Sequence, residues 1–68
     1  VDARKAWEDI MGAGVNSYTS RVELKNEVLF VSLTSSVLRE ELSLGKSKII
    51  AMLNEALGQE LIKRLVLR

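Results

Sequence analysis

Tyr18-Thr-Ser-Arg-Val-Glu-Leu-Lys25, Asn26-Glu27 and Val28-Leu-Phe-Val-Ser-Leu-Thr34 follow one another without a gap, and their alternation of apolar and polar residues decides the fold. In the first run Ser20, Val22 and Leu24 alternate with Thr19, Arg21, Glu23 and Lys25, the period-two pattern of a strand with one buried and one wet face. In the last run Leu29, Val31 and Leu33 share one face and Val28 and Phe30 the other. A strand apolar on both sides belongs in the middle of a sheet, here with an outer face that is only partly covered. Asn26-Glu27 is the tight turn that joins the two strands.

Upstream, Ala3, Ala6, Trp7, Ile10 and Met11 recur at helical spacing, with Asp2 placed as N-cap and Gly12 and Gly14 as the stop. Gly12 to Asn16 then reads as a loop, and Trp7 as the anchor that packs the helix on the sheet. Downstream, Ser35-Ser36 offers capping oxygens to a stretch in which Val37, Leu38, Leu42, Ile49, Ile50, Leu53, Ala56 and Leu57 repeat at three and four. Gly45 falls on the inward stripe 38–42–45–49. Because the apolar phase carries through it unchanged, the spacing predicts one continuous or gently bent helix over 36–57, with close helix–sheet approach as the reason for the glycine. The alternative is a turn at Ser43-Leu44-Gly45-Lys46 that divides the stretch in two. Gly58 takes the left-handed C-cap position. Leu61 to Leu67 completes the sheet as a third strand, with Leu61, Leu65 and Leu67 on one face and Ile62, Arg64, Val66 and Arg68 on the other. The predicted class is α+β: helix-strand-strand-helix-strand, a three-stranded sheet with the helices packed on one face.

Sixty-eight residues, 47% of them apolar and 28% charged, bound this to one small domain over 1–68, read as a piece of a slightly longer protein because it opens on Val1. The chain has no Cys and no His, which removes disulfides, structural zinc, haem ligation and any imidazole base. No catalytic residue, metal ligand or cofactor site is assigned, and the expectation is that the protein is not an enzyme. The longest apolar runs, Val28-Leu-Phe-Val31 and Leu65-Val-Leu67, fall far short of the roughly 20 residues that span a bilayer, so the expected compartment is the cytoplasm. Residues 1–34 hold four cationic and five anionic side chains, residues 35–68 six and four. That basic bias is weak for a tight, autonomous nucleic-acid binder.

Three motifs dissolve on inspection. Gly45-Lys46-Ser47 ends like a phosphate-binding loop, but the glycine required five residues earlier is Glu40. Glu40 and Glu41 are adjacent and point about 100° apart on a helix, and Gly12-Ala-Gly14 is too short for a dinucleotide fingerprint. The cations are more informative. Arg39, Ser43 and Lys46 share one helical stripe, a track for phosphates that competes with an ordinary salt-bridged surface, since Glu40, Glu41 and Glu55 offset Arg39, Lys46 and Lys48. Arg64 and Arg68 share a strand face beside Phe30 and Arg21, where arginines flanking an aromatic can hold single-stranded nucleic acid. The competing reading has Phe30 covered by the first loop or by another subunit. Candidate phosphate contacts are Arg39, Lys46, Lys48, Lys63, Arg64 and Arg68; Phe30 and Val28 are candidates for stacking or partner contact.

Trp7-Glu-Asp-Ile-Met-Gly12, Tyr18-Thr19, Val28-Leu-Phe-Val-Ser-Leu33, Ser35-Ser-Val-Leu-Arg-Glu-Glu-Leu42, Ile49-Ile50 and Leu53-Asn-Glu55 with Gly58 together resemble the bacterial DciA family, most specifically in the Ser35–Leu42 helix start. The resemblance implies a K-homology-like α+β domain, similar to the first domain of the replication initiator DnaA. It also implies a part in DNA replication, in loading or operating the replicative helicase DnaB, with binding to DNA. Two departures stand out: K-homology domains that bind nucleic acid clamp a backbone with a Gly-x-x-Gly loop, absent here, and longer family members carry a flexible tail beyond the point where this chain ends. The expected function is a non-enzymatic adaptor that contacts the replicative helicase and single-stranded or forked DNA, as a monomer or weak homodimer. The alternatives are an RNA-binding K-homology-like module, and a protein-interaction domain that homodimerises through Val28, Phe30 and the third-strand edge.

Overall fold

The computed structural model describes residues 2–68, in the order α1 (Ala3–Asn16), β1 (Thr19–Lys25), β2 (Val28–Leu33), α2 (Ser36–Ser43), α3 (Lys46–Leu57) and β3 (Arg64–Leu67). The sheet order is β1-β2-β3, with β1 antiparallel and β3 parallel to the central strand. Leu29, Val31 and Leu33 of β2 are buried and alternate with the half-buried Val28, Phe30 and Ser32, as their spacing predicts. Against the buried face lie Ala6 and Trp7 of α1, Ile49 and Leu53 of α3, and Leu65 of β3, with Leu42 of α2 packed on this core. The class is α+β, with three helices where the sequence pattern predicts two.

The helix expected over 36–57 is broken. Ser35 caps α2 by accepting from the Leu38 amide at 3.2 Å, and the last turn tightens as the amides of Leu44 and Gly45 donate to Glu41 and Leu42 at 3.2 and 3.1 Å. Gly45 then serves as the N-cap of α3. Its φ is negative, and a Cβ there meets nothing within 4 Å, so close helix–sheet approach does not account for the glycine. The break is short enough that Leu42, Ile49 and Leu53 still face one core, which is why the apolar phase hides it.

Two more boundaries move for identifiable reasons. Gly12 takes φ 81° and ψ 176°, a conformation costly to other residues, and interrupts the helix where a stop is expected, but helix resumes beyond it across a kink. The Asn16 side chain donates to the Glu8 carbonyl at 3.0 Å across the kink, so residues 13–16, expected as loop, are helical. In β1 the register slips between Thr19 and Arg21. The bulge turns Ser20 outward, contrary to the simple alternation, and brings Thr19 beneath Trp7, whose indole Nε1 donates to Thr19 Oγ1 at 3.2 Å.

β3 starts later than the apolar run suggests. The Asn54 amide grips Ile62 from both sides, donating to its carbonyl and accepting from its N–H, each at 2.9 Å. Ile62 is thereby turned into the core, 1% exposed, instead of lying on the outer face with Arg64. The carbonyl of Glu27 accepts from the amides of Lys63 and Arg64 at 2.8 and 3.2 Å, tying β3 to the hairpin turn.

That turn is strained. Asn26 and Glu27 both have positive φ, 51° and 67°, as a two-residue hairpin of this kind requires, and its second position favours glycine. Glu27→Gly is expected to stabilise the domain by about 0.5–1 kcal/mol, the relief of left-handed strain exceeding the added chain entropy. Urea denaturation checks this.

Candidate nucleic-acid interface

Ser36, Arg39, Glu40 and Ser43 of α2, Lys46 at the start of α3 and Leu67 of β3 line one open groove of about 350 Å³. The stripe read from helical spacing is thus brought together in spite of the helix break. With only two residues between the helices, Lys46 stays on the groove side. Arg39 and Lys46 are half-buried, and among the described residues neither pairs with a carboxylate. Two cations without partners, partly withdrawn from water, attract an anion more strongly than freely solvated lysines do. The first turn of α3 adds to this, because Gly45 offers no side-chain cap and the leading N–H groups carry the positive end of the helix dipole. Ser43 contributes less, since its hydroxyl already donates to the Glu40 carbonyl at 2.7 Å. Glu40 on the lip works against an anion.

The outer face of the sheet is a second surface. Register places Arg21 beside Ser32, Glu23 beside Phe30 and Lys25 beside Val28, while Val28 and Phe30 also neighbour Arg64 and Val66. The guanidinium of Arg68 lies over the Phe30 ring, 4.7 Å from its centroid, within cation–π range. The cover over Phe30 is therefore this arginine and not the first loop. The planar guanidinium is exposed, with the Phe30 ring as its support. Arg21 is spent on Glu23 at 3.1 Å.

Of the six candidate cations, Arg39 and Lys46 share the groove, and Arg64 and Arg68 share the outer face. The two surfaces meet at the end of β3, where Leu67 walls the groove and Arg68 turns to Phe30. Lys48 lies exposed on α3 outside the groove lining, and Lys63 pairs with Glu60 at 3.6 Å. Val28 is half-buried between Lys25 and Arg64. Sequence reasoning missed Leu67 as a groove wall, because only the parallel pairing of β3 with β2 puts it opposite α2. Ser36 was missed as well, although it stands three residues before Arg39 on the same stripe.

Among the described residues no helix is long and apolar enough to cross a membrane. Neither the curated proteins nor the solved structures hold a match to this chain. One family model does match it, over residues 1–67: "Dna[CI] antecedent, DciA". A match of that extent takes in the Trp7–Gly12 helix, the β1–β2 hairpin and the Ser35–Leu42 helix start together, and on it the chain belongs to the DciA family.

Proposed function

We propose that this domain is a non-enzymatic adaptor of DNA replication that contacts the replicative helicase and holds single-stranded or forked DNA along the α2–α3 groove and the adjoining end of β3. Family membership supports the link to replication and to helicase loading. The observation that carries the DNA contact is the groove itself, where Arg39 and Lys46, both unpaired among the described residues, flank the uncapped start of α3. In a K-homology-like reading, the turn Ser43-Leu44-Gly45-Lys46 stands in for the Gly-x-x-Gly clamp. With a single glycine in it, the grip on a phosphate comes from charge more than from close backbone approach. The outer face extends the track, with Arg64 for phosphate and the Arg68–Phe30 pair for stacking. Around Val28 and Phe30 lie Lys25, Arg64 and Arg68, while Glu23 beside Phe30 is paired with Arg21, so the rim is net positive and favours a polyanion over a second copy of the same face.

The double variant Arg39→Glu/Lys46→Glu tests this reading. With two phosphate contacts turned repulsive, affinity for a short single strand is expected to fall about tenfold or more, and the slope of log K against log salt to flatten by about 1.4. Fluorescence anisotropy at several salt concentrations measures both. Unchanged affinity and slope, in a variant with wild-type circular dichroism, removes the groove from the DNA site.

A further inference from the structure

α2 presents three faces. Leu38 and Leu42 are half-buried, with Leu42 on the core, and Ser36, Arg39 and Ser43 line the groove. On the third face lie Val37, Glu41 and Leu44, within about 60° of one another at 100° per residue. Val37 is 68% exposed and Leu44 87%, two of the four large apolar side chains the described chain leaves in water. α2 has eight residues and none of them fully buried, and a helix this short is marginal without tertiary support. Covering its outer stripe therefore stabilises the helix as well as hiding apolar surface.

The charge on this face is of one sign. Glu41 is the charged residue of the stripe, exposed and in no ion pair among the described residues, and α2 sets no basic residue in its last turn beside it. We infer that Val37, Glu41 and Leu44 form a protein-docking stripe for a basic amphipathic helix of the partner, with apolar side chains seated on Val37 and Leu44 and a Lys or Arg against Glu41. A second copy of the stripe fits poorly, because it sets Glu41 against Glu41. The inference rests on the adaptor reading above and assigns the partner contact to the side of α2 turned away from the DNA groove, so that both can be held at once.

Purified replicative helicase from the same organism serves as the probe, with single-strand affinity measured in parallel. Val37→Ser/Leu44→Ser is expected to weaken helicase binding about tenfold or more and to keep wild-type DNA affinity, since both side chains are already in water and the fold does not depend on them. Glu41→Lys is expected to weaken helicase binding as well. Full helicase affinity in the double serine variant overturns the stripe while leaving the adaptor reading intact. Tighter binding by Glu41→Lys overturns the basic occupant, and a parallel loss of DNA affinity in the serine variant overturns the separation of the two faces. A wild-type domain that does not bind the helicase takes down the adaptor reading and this assignment with it.

Discussion

Trp7→Ala is expected to leave the domain largely unfolded at room temperature. Trp7 is fully buried and heads the largest core side chains, among Leu29, Leu53, Ile62 and Val31. Truncating a buried Trp costs about 3–5 kcal/mol, which matches the whole stability of about 3–5 kcal/mol available to a domain of this size. The indole also has a polar role. Its Nε1–H donates to Thr19 Oγ1, which in turn donates to the Val15 carbonyl at 2.9 Å, so the same side chain fixes the second half of α1 and the bulge that starts β1. Trp7→Phe keeps much of the burial and loses that bond, and it is expected to remain folded with a smaller loss, about 1–2 kcal/mol. Far-UV circular dichroism and urea denaturation compare the two. An alanine variant that melts cooperatively within 1 kcal/mol of wild type, by the scale of a minor core change, contradicts the packing described.

Asn54→Ala is the second large effect, expected to cost about 2–3 kcal/mol. Both hydrogen bonds that Asn54 makes go to the backbone of Ile62, a residue 1% exposed. With the amide gone, the N–H and the carbonyl of Ile62 lose their protein partners together in a part-buried site. Asn54→Asp is no rescue: it keeps an acceptor for the Ile62 N–H but sets a second acceptor against the Ile62 carbonyl. Because Ile62 anchors the segment that leads into β3, the damage extends to Leu67 and Arg68. Urea denaturation reads the stability, and hydrogen exchange at the Ile62 amide reads the local opening. Loss of less than about 0.5 kcal/mol, the range of an ordinary surface change, removes Asn54 as the clamp.

The elements the sequence predicts well depend on near neighbours. β2 obeys its alternation because it is the central strand, with one face on the core and the other on the half-covered side of the sheet. Asp2 and Ser35 cap their helices as their positions suggest, each accepting from the amide three residues on, and Gly58 takes the left-handed C-cap with φ 77°. The misread elements depend on contacts from elsewhere in the chain. Ile62 turns inward because Asn54, eight residues back, holds it, and no alternation pattern encodes that. Ser20 turns outward because the bulge serves a bond between Trp7 and Thr19. Gly45 interrupts a helix whose apolar phase survives the interruption, so periodicity alone was blind to it. The candidate interface divides in the same way. Arg39, Ser43 and Lys46 are readable as a stripe, whereas Leu67 joins them only through the parallel pairing of β3, and Arg68 is placed on Phe30 by the same strand.

The groove between α2 and the start of α3, continued over the end of β3, is where we propose that this domain meets DNA. An amide-shift titration of the isotope-labelled protein with a short single-stranded DNA, at low and at moderate salt, tests it most directly. Shifts are expected to cluster on Ser36, Arg39, Ser43, Lys46, Leu67 and Arg68, to fade as salt rises, and to spare Lys63 and the exposed side of α1. Shifts that are absent at low salt, or that gather on α1 and bypass the groove, contradict it.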